Sequence, residues 1–265
     1  MPERAAVVAV HEPRVVPQRS ELPHRFAEGT RELRELLRDQ TITMVFQPIV
    51  VLSQESLAGY EALGRGRHPQ LPESPMELFR IAESIGAEAE LSRLFRRKAV
   101  ELAGGRTDLP TIFLNTHPIE LTRPGLLESL EELRAVAPQL DLALEIHESV
   151  LTRPSAIAEL RQLLLERHII LAYDNFKAGQ ARLLQLAEAP PHYLKFSRRL
   201  VAGLDRAPVA KKRLMKSLLS LASDLHVKSV AVGIETAAEA EACAKIGFTH
   251  GQGYQLGRPR TIDQL

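Results

Sequence analysis

Leu140-Asp141-Leu142-Ala143-Leu144-Glu145-Ile146 and Ile169-Ile170-Leu171-Ala172-Tyr173-Asp174, separated by the helical stretch Ser155 to Arg167, decide the fold. Both runs are short and β-rich, while the stretch between them carries apolar residues at helical spacing. A strand, a helix and a second strand in that order form a parallel pair, because the crossover returns the chain to the same end of the sheet. The pattern extends in both directions. Further β-like runs are Thr43 to Pro48, Leu57 to Leu63, Thr111 to Asn115, Tyr193 to Phe196, Ser229 to Gly233 and a weak one near His250 to Leu256. Helical stretches cover Arg25 to Asp39, Pro75 to Ile85, Glu88 to Ala103, Leu126 to Ala137, Gln180 to Ala187, Pro208 to Leu225 and Ala237 to Ile246. Ser74-Pro75 with Glu77 reads as a helix start and Gly86 as a stop.

Eight β runs with helices between them predict an α/β protein with a parallel sheet, and their spread over about 240 residues fits a (β/α)8 barrel of TIM-like type. A doubly wound open sheet fits less well. It would carry a Gly-rich turn after its first strand, and Gln47-Pro48-Ile49-Val50 is not one. Residues Met1 to Pro23, with Pro2, Pro13, Pro17 and Pro23, read as a tail or linker, leaving the barrel domain to 24–265.

Composition narrows the function. Of 265 residues, 45% are hydrophobic and 25% charged, enough apolar surface to offset chain entropy. Basic and acidic residues number 34 and 33, so no overall field drives the chain toward a nucleic acid polymer or an anionic membrane. The basic group Lys211, Lys212, Arg213 and Lys216 reads as a solvated helix face. The single Cys243 excludes an internal disulfide and a cysteine zinc site, and it reads as a small buried hydrophobe. No run of 18 apolar residues spans a membrane, and Ala5 to Val10 is too short for a signal peptide core, so a cytoplasmic protein is expected. Neither an HExxH metal motif nor a GxSxG nucleophile elbow is present.

In such a barrel, functional side chains sit where strands end at the C-terminal rim. Those positions hold Gln47, Glu61 with Arg65 beyond it, Asn115, Glu145, Asp174, Lys195, Glu235 and Gln252. Singly, each is an ordinary helix cap or surface residue. Jointly, Glu61, Asn115, Glu145 and Asp174 bring oxygen atoms from four successive strand ends. Three carboxylates pointing at one rim repel one another unless a cation sits among them, and oxygen-only ligands suit Mg²⁺, Mn²⁺ or Ca²⁺.

At these residues the sequence resembles the EAL-domain family, the cyclic di-GMP phosphodiesterases of bacterial signalling. The matching segments are Phe46-Gln47-Pro48-Ile49, Gly59-Tyr60-Glu61-Ala62-Leu63-Gly64-Arg65, Leu114-Asn115, Leu144-Glu145-Ile146-His147-Glu148-Ser149, Leu194-Lys195, Gly233-Ile234-Glu235-Thr236 and Gly251-Gln252-Gly253-Tyr254. The resemblance implies a (β/α)8 barrel with one strand running against the others and cyclic di-GMP lying across the rim. It implies that Glu61, Asn115, Glu145 and Asp174 are ligands of a first metal, Mg²⁺ or Mn²⁺. By the same carry-over, Lys195, Glu61 and Gln252 are the catalytic groups of an active rim, with Lys195 near the attacking water. Gln47, Leu63, Arg65 and Glu235 are the ligand-binding set, Arg65 bonding a phosphate.

The departures set the functional expectation. Active family members carry two adjacent aspartates after the fifth strand, and this chain has Asp174-Asn175. The loop that follows reads Phe176-Lys177-Ala178-Gly179, with a lysine where the family has glycine. Phe196-Ser197 replaces Ile-Asp after Lys195, and Val232 replaces a glutamate before Gly233. Two divalent ions about 4 Å apart repel by roughly 17 kcal/mol at an effective dielectric of about 20. Surrounding carboxylates must offset this, and three are missing. The expectation is a catalytically impaired EAL domain with one weakened Mg²⁺ or Mn²⁺ site, acting as a cyclic di-GMP sensor or a protein-interaction module. A protein partner and a homodimer stay open. The competing reading is an active metal-dependent phosphodiesterase giving the linear dinucleotide, with Asp174 bridging both ions helped by Asn175 or Glu235.

Overall fold

The structure, a computed structural model, describes residues 29–150 and 154–265. Eight strands close into a barrel in chain order. They are β1 (Ile42–Val51), β2 (Ser56–Gly66), β3 (Thr111–Thr116), β4 (Leu142–His147), β5 (Ile169–Phe176), β6 (Tyr193–Phe196), β7 (Lys228–Val232) and β8 (His250–Gln252). The helices are α1 (Thr30–Asp39), α2 (Pro75–Ile85), α3 (Glu88–Ala103), α4 (Leu126–Val136), α5 (Pro154–Leu165), α6 (Gln180–Glu188), the single turn α7 (Arg198–Val201), α8 (Val209–Asp224) and α9 (Ala237–Ile246). The expected tail, Met1 to Pro23, and the first residues of the helix read from Arg25 lie outside the described residues. No helix among the described residues is long and apolar enough to cross a membrane.

Strands β2 to β8 run parallel in sequence, and β1 runs antiparallel to both β2 and β8. This reversal corrects one sequence reading. Gln47 does not end a strand at the rim; β1 begins there, with Ile42 opposite Gly66, and Gln47 lies part-way down opposite Glu61. The β1–β2 pairing also explains why both strands outrun their apolar runs. An antiparallel ladder is held by backbone hydrogen bonds and carries Gly64, Arg65 and Gly66 along with it. At the other extreme β8 is only three residues long, because Gly253 turns the chain against Ile234. A Cβ at Gly253 would meet the Ile234 carbonyl oxygen at 2.1 Å, so only glycine permits this approach.

Period-two alternation then sorts each strand into an outer and an inner row. Outward residues such as Leu114, Leu144, Ile146, Leu171, Leu194 and Phe196 pack under the helices in the main core. A second, inner cluster of Ile49, Phe113, Ala143, Ala172, Tyr193 and Val230 plugs the barrel. Two residues past that plug, on the same face, come Asn115, Glu145, Asp174, Lys195 and Val232. Gln47 stands two residues before Ile49, as a reversed strand requires. The plug therefore forms the floor of the candidate site.

His250 lies at this floor, 5.4 Å from the Tyr193 ring and bonded through Nδ1 to Thr249 Oγ1 at 2.8 Å. Burial, reinforced by the charge of Lys228, pushes its pKa down to about 4 from 6.5. Between those values the unfolded chain binds a proton that the folded chain refuses, so stability falls as pH drops from 6.5 toward 4, by up to about 3 kcal/mol. Denaturant titrations at pH 7, 5 and 4 are expected to show this loss in the native sequence and a shallower one in His250→Gln; parallel losses contradict it.

Candidate functional site

Each polar residue above the plug is delivered by a different strand, and their side chains meet at one ammonium. Lys195 on β6 is 1% exposed, and its Nζ donates to Glu61 Oε2 on β2 and to Glu145 Oε1 on β4, both at 2.7 Å. Asp174 Oδ1 on β5 stands 3.9 Å away. Glu61 is held further: its Oε1 accepts from Asn115 Nδ2 at 3.0 Å and its Oε2 from Gln252 Nε2 at 2.6 Å. Gln252 also donates to Gln47 Oε1 at 3.2 Å, and Gln47 Nε2 donates to the Gly257 carbonyl at 3.2 Å. The structure thus brings Gln47, Glu61, Asn115, Glu145, Asp174, Lys195 and Gln252 into one connected group.

The electrostatics follow from this crowding. Burial alone would lower the Lys195 ammonium, but Glu145, Glu61 and Asp174 together raise its pKa above that of an ordinary lysine. Burial opposes ionisation of Glu61 too, yet Lys195 and the amides of Asn115 and Gln252 hold its carboxyl below the usual range. Glu145 goes the other way: burial and the neighbouring charge of Glu61 push its carboxyl well above the ordinary value. Burial likewise raises Asp174. With all three carboxylates ionised, one ammonium leaves two negative charges in excess, and the raised Glu145 and Asp174 carboxyls reflect that strain. Glu145 Oε2 and Gln252 Oε1 are buried and have no hydrogen-bond partner among the described residues.

The remaining expected residues are more dispersed. Leu63 lines the wall of a cavity of about 570 Å³ that opens from the carboxylates toward Met76, Phe79 and Phe95. Arg65, further up β2, spends one guanidinium N–H on the Gly64 carbonyl at 2.7 Å. Glu235, beyond β7, does not join the group; its Oε1 lies 2.5 Å from Arg198 Nη2 in a half-exposed ion pair. The loop that holds it is pinned by a helix cap, Thr236 Oγ1 accepting from Glu239 N at 3.2 Å while Glu239 Oε2 accepts from Glu235 N at 2.9 Å. Lys177 does not enter the rim either. Its Nζ lies 3.2 Å from Glu148 Oε1, and its backbone N–H donates to Glu148 Oε2 at 2.9 Å.

Two supporting arrangements went unread in the sequence. Buried Arg96 on α3 grips Glu120 with Nη1 to Oε1 at 2.7 Å and Nη2 to Oε2 at 2.6 Å, and Nη1 also donates to the Asn115 carbonyl at 3.3 Å. This clamp fixes the turn after β3 and hence Asn115. His147 stands two residues past Glu145 on the same face of β4, with Asn175's amide 2.9 Å from its Nε2. The sequence places His147 just beyond Glu145, but its contact with Asn175 is not legible there, and nothing in the spacing marks Arg96 and Glu120 as partners.

The EAL domain family model matches residues 30–259. The bifunctional diguanylate cyclase/cyclic di-GMP phosphodiesterase MucR of Pseudomonas aeruginosa is 29% identical over 245 residues, which cover 88% of this chain and 35% of that protein. The chain thus spans about a third of that relative's length. A solved structure named PaMucR phosphodiesterase, c-di-GMP complex, is 27% identical with a TM-score of 0.77, covering 88% of this chain and 98% of the other. The FimX EAL domain of Xanthomonas citri in complex with c-diGMP shares the fold, with 20% identity, a TM-score of 0.79 and coverage of 90% and 95%.

The excess negative charge yields a direct test. In EDTA, Glu145→Gln removes a carboxylate that is buried beside Glu61 and is expected to raise stability by about 1 kcal/mol. The same variant is expected to lose the stabilisation that Mn²⁺ gives the native chain in thermal melts. A Glu145→Gln protein that is destabilised in EDTA and still stabilised by Mn²⁺ contradicts the assignment.

Proposed function

The chain belongs to the EAL-domain family, and from that premise we propose that it is a cyclic di-GMP-binding module whose hydrolytic site is impaired. The domain type acts in cyclic di-GMP signalling, and MucR carries both the sequence likeness and a c-di-GMP complex. The observation that carries the reading is the charge balance at Lys195: the excess of two negative charges matches one divalent cation and leaves nothing for a second.

The donor set fits a first ion. Glu61, Asn115, Glu145 and Asp174 offer only oxygens, and Glu145 Oε2 is a buried acceptor with no partner among the described residues. Such an ion, when bound, polarises a phosphoryl oxygen. The residues do not fit a second ion. Asn175's amide rests on His147, Val232 has no ligand atom, and Glu235 is committed to Arg198.

The remaining roles follow from the chain's own side chains. Lys195 donates to Glu61 and Glu145, whose charges hold it protonated in the metal-free site, so there it supplies fixed positive charge. Glu61 and Gln252 orient each other and Lys195. Arg65 keeps guanidinium N–H groups beyond the one given to Gly64, and these suit a phosphate. Gln47 lies beside Gln252, and Leu63 lines the wall of the cavity, whose volume of about 570 Å³ admits part of a dinucleotide. Binding without turnover makes the domain a sensor, which then reports to a protein partner.

Titration calorimetry with cyclic di-GMP is expected to show binding in EDTA and tighter binding with Mn²⁺; absence of heat in both contradicts the sensor reading. Incubation with the dinucleotide and Mn²⁺ is expected to give no linear product above a buffer control. Rapid product that Glu61→Ala abolishes supports an active phosphodiesterase instead. Restoring Asn175→Asp together with Val232→Glu is expected to bring linear product above the buffer control, since one transition-state charge contact is worth about a hundredfold or more in rate.

A further inference from the structure

We infer that Asn175 is a phosphate-recognising hydrogen-bond donor, oriented by His147, so that an amide takes over where a second cation would otherwise act. The inference rests on the cyclic di-GMP-binding reading and adds a recognition residue to it. Register places His147 on β4 opposite Asp174 on β5, and Asn175 follows at the mouth of the barrel with φ of 58°. Asparagine tolerates that left-handed conformation better than most residues.

The tautomer of His147 fixes everything else. Its Nδ1 receives the backbone N–H of Ser149 at 3.1 Å, with the Ser149 hydroxyl at 2.8 Å. A backbone N–H can only donate, so Nδ1 presents its lone pair and the ring proton sits on Nε2. That Nε2–H needs an acceptor, and the group 2.9 Å from it is the Asn175 amide. With Nδ2 against Nε2, two donors face each other. A half-turn about the last side-chain bond removes the conflict without changing the shape of the side chain. Oδ1 then accepts from His147, and the NH₂ group faces away from the ring.

Two consequences follow. Oδ1, the only side-chain atom of Asn175 able to ligate a cation, points at His147, so a second ion finds this ligand turned away as well as uncharged. The NH₂ group, which takes no other hydrogen bond among the described residues, keeps its donors free beside His147, a residue that lines the cavity, and an amide there would attract the phosphate that a carboxylate would repel. Hydrogen bonds to a charged acceptor are the stronger kind, so the exchange strengthens metal-free recognition while it removes metal-dependent cleavage.

The test uses the whole chain, cyclic di-GMP and two variants. Asn175→Asp removes the donors and adds charge; Asn175→Gly removes them and keeps the backbone conformation. In EDTA, the first is expected to weaken binding at least about tenfold and the second at least about threefold. With Mn²⁺ present, the Asn175→Asp deficit should shrink. The imidazole ¹⁵N spectrum of His147 should show the Nε2–H tautomer. Native binding with both variants unchanged in EDTA overturns this inference alone, as does an Nδ1–H tautomer. Absence of binding by the native chain overturns the sensor reading together with it.

Discussion

A lysine ammonium buried in a barrel and held 2.7 Å from each of two glutamates is the constraint on which the rest of this protein depends. Removing the ammonium would leave its buried carboxylates uncompensated at a cost of about 3–5 kcal/mol, so Glu61, Glu145 and Asp174 all depend on Lys195. Their meeting is produced by the barrel itself. Strands β2, β4 and β6 each present one of them just above the apolar plug, and parallel register with period-two alternation brings them to one level. The group carries more negative charge than its ammonium neutralises, and the buried, unpaired Glu145 Oε2 is the local sign of that excess.

Around this centre two neighbouring cations are already paired, Lys177 with buried Glu148 and Arg198 with Glu235 in a half-exposed pair. The loops after β5 and β7 are thereby fastened to neighbouring elements. A site arranged this way keeps the electrostatic demand of a one-ion centre and lacks the anions that a pair of ions needs. On the proposed reading it would hold its ligand by fixed donors and a single cation, which favours recognition over displacement chemistry.

The sequence made the barrel legible because buried parallel strands are short apolar runs between amphipathic helices, and Pro75–Ile85, Glu88–Ala103 and Ala237–Ile246 carry clear boundaries. It made the carboxylate group legible because Asn115, Glu145 and Asp174 fall at the ends of such runs and Glu61 falls late in one. Direction was harder to see in the residues themselves. Nothing in Thr43 to Pro48 distinguishes a strand that descends from one that rises, so Gln47 reads as a strand end until its pairing with Glu61 is known. Ion pairs between distant segments were also hidden. Arg96 with Glu120, Lys177 with Glu148 and Arg198 with Glu235 are set by three-dimensional packing, which no local spacing encodes.

The central claim concerns how many divalent ions the rim can hold, and crystals grown with manganese and cyclic di-GMP decide it most directly. Anomalous difference maps are expected to show a single peak among Glu61, Asn115, Glu145 and Asp174 in each chain. Two peaks bridged by Asp174, at the separation of a two-metal centre, would contradict the account.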